Sequence, residues 1–275
     1  MSESLLSRTK ARMQELGLQP QKGLGQNFLI SRHVVDKIIH AVAAQNPRQL
    51  LEVGPGVGSL TESLLEMNLP LTIIELDRSL AEYWRKRGQN VLENDALKVN
   101  WAQAAPVAPT VLVSNLPYQI STHLVIDLSF GPATIPSMVL MFQKEVAERL
   151  MARPRTSAYG LLSVMLQSHW QMQRVLEAGP GDFWPAPKIA SQVVQFQRKP
   201  APFAGREKAY LSYLKAAFAQ RRKFLSKNLL ARPPKPGLNQ EAIVAALEEL
   251  GLGSRVRAEE LSVEQFEKLF ERIGQ

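Results

Sequence analysis

The stretch LLEVGPGVGSLTESLLE, residues 50–66, decides the fold class of this chain. Its apolar start predicts a buried strand, and the residues after Gly58 predict a helix. Three alternating glycines separate the two, where the backbone must turn sharply and can approach a ligand closely. The helix that follows presents the positive end of its dipole to this turn. A strand, a glycine turn and a helix in succession predict a ligand site at the carboxyl end of a parallel strand.

Short apolar runs alternate with helical segments between residues 49 and 198, as in a doubly wound α/β sheet. After a linker at 199–205, the apolar spacing becomes helical throughout. We therefore predict an α/β domain over residues 1–200, with a basic N-terminal segment at 1–30, and a small all-helical domain over 201–275. Nearly continuous apolar character predicts buried parallel strands at 49–53, 71–76, 90–94, 110–115 and 137–143, then a helix at 160–170 and an antiparallel pair at 171–178 and 191–198.

The composition excludes several classes of function. The 275 residues include no cysteine, so disulfides, thiolate metal sites and a cysteine nucleophile are excluded. The four histidines lack the spacing of metal ligands, and no metal site is predicted. No apolar run reaches the roughly 18 residues of a membrane span, and the N-terminus lacks the apolar core of a signal peptide. We therefore expect no membrane association and a cytoplasmic location.

Basic residues are concentrated in one segment. The net charge of the chain is +8, and residues 206–235 alone contain nine Lys or Arg and one acid. Such a segment favours a polyanionic partner, nucleic acid before membrane, although a solvated surface would also explain it. Its three consecutive cations, Arg221, Arg222 and Lys223, are expected to fan around a helix, so that they cannot all be buried. We predict that they and the Lys10–Lys22 region contact RNA phosphates.

An acid ends the second predicted strand. Glu75 lies 21 residues after Gly54, the spacing at which an acid binds the ribose hydroxyls in dinucleotide folds. The loop nevertheless reads G-P-G-V-G rather than G-x-G-x-x-G, and Glu52 precedes its first glycine, which argues against a nicotinamide cofactor. The E-x-G-x-G-x-G pattern resembles the S-adenosylmethionine loop of class I methyltransferases. Asp95 stands where such enzymes hold the adenine amino group, and it would serve equally well as the N-cap of the next helix.

The stretch VLVSNLPYQIST, residues 111–122, predicts the reacting part of the site. Asn115 ends the fourth strand at the switch point of the sheet, and Pro117 restricts Leu116 to an extended conformation. The Asn115 side-chain oxygen and the Leu116 carbonyl would then face one small volume, which suits an exocyclic NH2 group such as adenine N6. Two hydrogen bonds to this group would hold it and favour a pyramidal nitrogen that can accept a methyl group. Tyr118 would provide a face on which a flipped base stacks.

An ordered set of blocks along the chain resembles the ribosomal RNA adenine dimethyltransferase family, and within it the small-subunit enzymes. The chain departs from the family pattern at Leu24, where phenylalanine is usual, at Leu116, where a second proline is frequent, and at Ile189, where valine is commoner. Because a backbone carbonyl acts at position 116, we expect little effect there. The blocks are LGQNFLIS (24–31), EVGPGVGSLT (52–61), IELD (74–77), NDAL (94–97), NLPYQIST (115–122), QKEVAERL (143–150), FWPAPKIASQVV (183–194) and AFAQRRKFLSKNL (217–229).

The resemblance implies a class I, Rossmann-like fold and S-adenosylmethionine as the cofactor. It also implies that two methyl groups are transferred to N6 of each of two adjacent adenosines, in a hairpin loop near the 3′ end of small-subunit rRNA. The expected partner is that rRNA within a partly assembled 30S particle, with a role in ribosome biogenesis, and the protein is expected to be a monomer. The implied cofactor contacts are Asn27, Leu29, Gly54, Glu75, Asp95 and Asn115, and the target adenine is held by Asn115, Leu116 and Tyr118, with Phe183 closing on its other face.

Three other interpretations remain. A large-subunit rRNA adenine methyltransferase of the antibiotic-resistance type would share the glycine loop and the Asn-x-Pro-Tyr motif, but the blocks at 183–194 and 217–229 favour the small-subunit enzyme. A non-catalytic RNA-binding assembly factor would be signalled by loss of Asn115, Glu75 or the loop glycines, which are all present. A nicotinamide oxidoreductase is disfavoured by the loop spacing and the charge.

Overall fold

The computed structural model describes residues 4–20, 26–200, 202–203, 205–234 and 237–274, in two compact units. The first unit comprises Met1–Ala147 and Met172–Arg198, and the second comprises Glu148–Gln171 and Lys199–Gln275. Lys22 and Leu24, from the predicted RNA-contacting region and the first sequence block, lie outside the described residues, as does Lys235 of the basic segment. No described helix is both long enough and apolar enough to cross a lipid bilayer.

The first unit is built on a seven-stranded sheet in the order β4-β3-β2-β5-β6-β9-β7. Strands β2 to β6 run parallel, which confirms the predicted doubly wound sheet, and β9 runs antiparallel to β6 and lies beside β7. The parallel strands at its centre are buried, apart from the half-exposed Asn115 that ends β5, because both of their faces are covered, as their continuous apolar sequence requires. The strands are β2 (Gln49–Val53), β3 (Leu71–Glu75), β4 (Asn90–Glu93), β5 (Thr110–Asn115), β6 (Ser137–Gln143), β7 (Trp170–Ala178) and β9 (Ser191–Arg198).

Helices and a short second sheet complete this unit. Strands β1 (Phe28–Leu29) and β8 (Phe183–Trp184) pair antiparallel with each other. Asp77 begins the most strongly amphipathic of the helices, α4, by accepting hydrogen bonds from the backbone N–H groups of Ser79 and Leu80. The helices are α1 (Leu5–Glu15), α2 (Arg32–Ala43), α3 (Thr61–Leu65), α4 (Arg78–Lys86), α5 (Trp101–Ala104), α6 (Tyr118–Ser129) and α7 (Lys144–Leu150), of which α7 continues into the second unit.

The switch point lies between β2 and β5. The chain proceeds from β2 outward to β3 and β4 and then returns to β5 on the other side of β2. The Ser114 hydroxyl donates a hydrogen bond to the Val53 carbonyl, so the two strands are joined at their carboxyl ends. Gly54 follows Val53 at the end of β2, and Asn115 follows Ser114 and ends β5. The topology therefore brings the two motifs found in the sequence to one edge of the sheet.

The second unit is helical. Ser262 caps α12 and accepts a hydrogen bond from the backbone N–H of Gln265 at 3.1 Å, as expected for its N-cap position. Helix α8 packs against α9 and α12, so residues 148–171 belong to this unit although they precede the boundary at 200 expected from the sequence. The helices are α8 (Leu161–His169), α9 (Glu207–Ala217), α10 (Leu225–Ala231), α11 (Gln240–Glu249) and α12 (Val263–Ile273).

Candidate active site

A cavity of about 510 Å³ opens at the carboxyl edge of the parallel strands in the first unit. Its walls come from the residues that follow β2, β3, β4 and β5, and from residues 26–29 before and within β1. Motifs that are far apart in sequence thus meet here. Of the residues predicted to bind the cofactor or the target base, those that line the cavity are Asn27, Leu29, Gly54, Glu75, Asp95, Asn115, Leu116 and Tyr118.

The glycine loop is tightly enclosed. A Cβ atom on Gly56 would lie 2.9 Å from the Phe28 ring, and one on Gly58 would lie 2.7 Å from the Trp84 ring. Both glycines also have positive φ, +54° and +97°, which side chains disfavour. The Trp84 indole N–H donates a hydrogen bond to the Gly56 carbonyl at 3.0 Å. The loop is therefore fixed by its neighbours in one conformation that only glycine allows.

Two buried acids lie at the cavity. The side chain of Glu75 accepts hydrogen bonds from the backbone N–H groups of Leu76 at 2.8 Å and Asp77 at 2.9 Å. Glu52 is only 2% exposed, and its Oε2 atom has no hydrogen-bond partner among the described residues. Burial raises the pKa of Glu52 to about 8, with a contribution from the Glu75 charge, and burial raises the pKa of Glu75 to about 7. The cavity is therefore prepared for a ligand that carries positive charge or hydroxyl donors.

These carboxyl groups should make stability fall as the pH rises. Each pKa in the folded protein lies above the ordinary 4.5, so the folded state binds more protons than the unfolded chain between pH 4.5 and about 8. The free energy of unfolding must decrease across that window. Glu52→Gln cannot ionise, so on going from about pH 5 to about pH 8.5 it should gain roughly 3 kcal/mol relative to the wild type. Urea unfolding at the two pH values measures this gain.

The control for this prediction is Glu82→Gln. Glu82 is an exposed carboxylate on α4 whose Oε1 lies 3.0 Å from Lys86 Nζ, and its replacement should produce no such gain at high pH. An effect of Glu52→Gln that is the same at both pH values would show that Glu52 does not titrate in this window.

Asp95 is the N-cap that the sequence offered, and it also lies at the cavity. Its Oδ1 atom accepts a hydrogen bond from the Leu97 backbone N–H at 3.0 Å and caps the short 3-10 helix at Ala96–Lys98. Its Oδ2 atom lies 3.8 Å from Lys98 Nζ. The residue lines the cavity at the same time. The cap fixes the carboxylate at the end of β4 without removing it from the site.

Asn115 is held by an unexpected partner. Its side-chain N–H group donates a hydrogen bond to the Asn27 backbone carbonyl at 2.9 Å. The nitrogen end of the amide is thereby assigned, because a carbonyl oxygen would be repelled at that position. The Oδ1 atom is the remaining end, and it is an acceptor on a residue that lines the cavity. The contact joins residues that are 88 positions apart, so no local pattern in the sequence could reveal it.

The residues after Asn115 also line the cavity, from Leu116 to Ile120. Pro117 has φ −55° and ψ 124° and precedes α6, which begins at Tyr118. Leu116 is buried and lines the cavity. The Tyr118 hydroxyl forms a hydrogen bond of 2.9 Å with the Ser191 hydroxyl, and burial raises the pKa of the phenol. The tyrosine ring is thus neutral and tethered beside the cavity.

Phe183 is not part of the cavity wall. It is 2% exposed, pairs with Leu29 between β1 and β8, and packs in the core of the unit. The pairing of β8 with β1 thus places this residue in the core, and its contact with the second face of the base stays a prediction. The adjacent Trp184 is more accessible, and Lys10 Nζ lies 5.5 Å from the centre of its ring.

The three consecutive cations lie in the turn between α9 and α10, and not on a helix as expected. Arg221 is held within the second unit, since its guanidinium pairs with the Glu259 carboxylate and donates to the Thr156 carbonyl at 3.1 Å. Arg222 and Lys223 are exposed, and neither forms an ion pair with any residue that the structure describes. Arg222 and Lys223 are therefore accessible to a charged partner, whereas the charge of Arg221 is already paired within the unit.

No group of three or more His, Asp or Glu side chains is placed to hold a metal ion in the described parts of the chain.

The comparisons with known proteins agree on one family. The sequence profile of the family "Ribosomal RNA adenine dimethylase" matches residues 17–275. The chain is 47% identical to ribosomal RNA small subunit methyltransferase A of Bdellovibrio bacteriovorus, over 97% of each chain. Its fold is similar to that of a dimethyladenosine transferase from Plasmodium falciparum, with a TM-score of 0.75 and 26% identity over 90% of this chain and 98% of that one.

A second solved structure is also similar. It is the 23S rRNA methyltransferase ErmE, with a TM-score of 0.66 and 27% identity over 90% of this chain and all of that one. The fold prediction is thus confirmed, and the profile and the bacterial relative favour the small-subunit type over the large-subunit type. The chain belongs to the ribosomal RNA adenine dimethylase family, enzymes that transfer methyl groups from S-adenosylmethionine to adenines of rRNA.

Proposed function

We propose that the protein dimethylates N6 of two adjacent adenosines in the 3′-terminal hairpin of small-subunit rRNA, within a partly assembled 30S particle. The observation on which this proposal depends is the Asn115 amide, which is oriented by the Asn27 carbonyl beside two buried acids in one cavity. A ribosomal substrate implies a cytoplasmic enzyme, and we propose that it acts as a monomer and without a metal ion.

The residues of the cavity fit S-adenosylmethionine. When bound, this cofactor supplies an electrophilic methyl group on a positively charged sulfonium. The buried Oε2 atom of Glu52 has no partner among the described residues, and a cation nearby would compensate its charge. Glu75 ends β3 in the position at which an acid accepts hydrogen bonds from ribose hydroxyls. Asp95 adds a fixed carboxylate that can accept from an adenine amino group.

The target adenine would be held by the residues after β5. Asn115 Oδ1 and the Leu116 carbonyl accept the two protons of N6, which positions the nitrogen and makes its lone pair available. The Tyr118 ring provides a stacking face worth roughly 1–3 kcal/mol per base. Its tether to Ser191 reduces the entropy lost when the base binds. Phe183 packs in the core, so it would have to move to close on the other face of the base.

The turn between α9 and α10 would bind rRNA phosphates through Arg222 and Lys223. Its shape is maintained by Asn228, a buried residue whose amide donates to the carbonyls of Ala217 at 2.8 Å and Gln220 at 3.0 Å. Arg221 fastens the turn from the other side through Glu259. The two exposed cations are thus presented from a rigid turn, while the third cation supports it.

Replacing Arg222 and Lys223 together with alanine should weaken binding to the 30S particle and reduce the salt slope, d log K/d log[salt], by about 2, one unit for each phosphate contact. The melting temperature should stay within about 1 °C of the wild type, since both side chains are exposed. Filter binding at several salt concentrations, with thermal unfolding alongside, measures both effects. Arg221→Ala provides the contrast, because it should lower the melting temperature. An unchanged salt slope in the double variant would exclude this turn as a phosphate contact.

The function itself is tested with labelled S-adenosylmethionine and unmethylated 30S particles, followed by nuclease digestion and mass spectrometry of the rRNA. We expect label only in N6,N6-dimethyladenosine at two adjacent positions of the 3′-terminal hairpin. Large-subunit rRNA is offered in parallel, because the similar fold of ErmE makes it the main competing substrate. Label on large-subunit rRNA or on another base would overturn the proposal, and binding without any transfer would favour an assembly factor.

A further inference from the structure

Helix α1 lies against the outer side of the glycine loop. Arg12 donates one hydrogen bond to the Val57 carbonyl within the loop. Its second guanidinium nitrogen donates to Glu62 Oε1 on α3 at 2.9 Å. The Arg12 side chain is only 16% exposed. One buried guanidinium thus connects α1 with the loop and with the helix that follows it.

The space for this guanidinium depends on Gly58. A Cβ atom there would lie 2.7 Å from Arg12 Nη1. The guanidinium carbon also lies 5.5 Å from the centre of the Tyr83 ring, within the range of a cation–π contact. Arg87 also binds this carboxylate, with its Nη2 atom 3.1 Å from the same Glu62 oxygen. The loop, the two helices and the two cations therefore form one connected cluster.

Arg12 does not line the cavity, whereas Gly54, Gly56 and Ser59 of the loop do. Any influence of Arg12 on a bound ligand must act through the loop. Helix α1 also precedes the part of the chain, residues 17–275, that matches the family profile. Arg12 therefore lies outside the part of the chain that the family profile matches, whereas its partners in the cluster lie within it.

We propose that Arg12 is a positioning residue that keeps the glycine loop in its ligand-binding conformation, so that α1 belongs functionally to the cofactor site. The inference rests on the proposal that this cavity binds S-adenosylmethionine. Arginine suits the task because its rigid fork can donate to two acceptors at once. Lysine would keep the charge, but its single ammonium group reaches the two oxygens less well.

The test measures binding of S-adenosylmethionine and of its product S-adenosylhomocysteine, which lacks the sulfonium charge, by isothermal titration calorimetry. Arg12→Gln should raise the Kd of both ligands by at least about 10-fold, the loss expected when a charge-assisted hydrogen bond no longer holds the loop. Arg12→Lys should fall between this variant and the wild type. The matched control is Arg32→Gln, since Arg32 forms only an exposed ion pair with Asp36 at 2.9 Å, and its Kd should stay within about twofold.

Two further readouts separate positioning from a merely structural role. Hydrogen exchange of the loop amides should be faster in Arg12→Gln, and steady-state assays should show a higher KM for S-adenosylmethionine with little change in KM for the 30S particle. A wild-type Kd in Arg12→Gln, whatever its melting temperature, would overturn the inference. If that variant does not fold, a wild-type Kd in Arg12→Lys would overturn it instead. Failure of the wild type to bind S-adenosylmethionine would refute the proposed function.

Discussion

Asn115→Ala should reduce the rate of methyl transfer by about 100- to 1000-fold, the range found when a donor or acceptor to a reacting group is removed. The substitution deletes Oδ1, the acceptor that would hold N6 of the target adenine. It also removes the amide that bonds to the Asn27 carbonyl at 2.9 Å. Single-turnover assays with unmethylated 30S particles measure the effect on chemistry, and calorimetry measures how much of the loss comes from weaker cofactor binding.

A second asparagine provides the control. Asn100 caps α5, where its side chain accepts from the Gln103 backbone N–H at 3.4 Å, and it lies outside the cavity wall. Asn100→Ala should alter stability slightly and leave the transfer rate unchanged. Wild-type transfer by Asn115→Ala would mean that the chemistry occurs elsewhere.

Gly58→Ala should destabilise the protein by about 2–5 kcal/mol, the sum of backbone strain and overpacking. The φ angle of Gly58 is +97°, and the new Cβ would lie 2.7 Å from both the Trp84 ring and Arg12. Neither neighbour can withdraw freely, because Trp84 donates to the Gly56 carbonyl and Arg12 to the Val57 carbonyl. Thermal unfolding should show a melting temperature lower by roughly 5–15 °C, with loss of S-adenosylmethionine binding.

Alanine substitutions at two other glycines separate the cost of backbone strain from the cost of steric overlap. Gly88 has φ +78°, but a Cβ atom there would meet nothing within 4 Å, so Gly88→Ala should cost only the strain, about 1–2 kcal/mol. Gly181 has neither a positive φ nor a neighbour within 4 Å, and its replacement should stay within about 0.5 kcal/mol. Equal losses of unfolding free energy in Gly58→Ala and Gly88→Ala would show that Trp84 and Arg12 move away from the new methyl group without cost.

The sheet and most of the cavity could be predicted from sequence because their signals are local. A strand that is buried on both faces must be apolar along its length, so the apolar run at 110–115 predicts such a strand. The topology rule then places Asn115 beside Gly54 without further information. The order of the strands along the sequence and their parallel type were sufficient to predict that both motifs lie at one edge of the sheet.

Contacts between distant segments explain what was missed. Phe183 begins a sequence block from which a role at the site is predicted, yet the pairing of β8 with β1 buries it beside Leu29. The cations at 221–223 continue a helical spacing, but the Asn228 amide donates to the carbonyls of Ala217, which ends α9, and of Gln220, and stabilises a turn. The apolar run at 161–169 predicts a helix but does not specify which unit it packs against.

The anchor of Asn115 has an evolutionary consequence. Since the acceptor at position 27 is a main-chain oxygen, exchanging that side chain for another would leave the bond to the amide in place. Insertion or deletion of one residue next to Asn27 would not be tolerated in the same way. It would shift the accepting main-chain oxygen by about 3.3 Å, the rise of one residue in a strand. Natural variation near Asn27 should therefore alter chemistry more through chain length than through residue type.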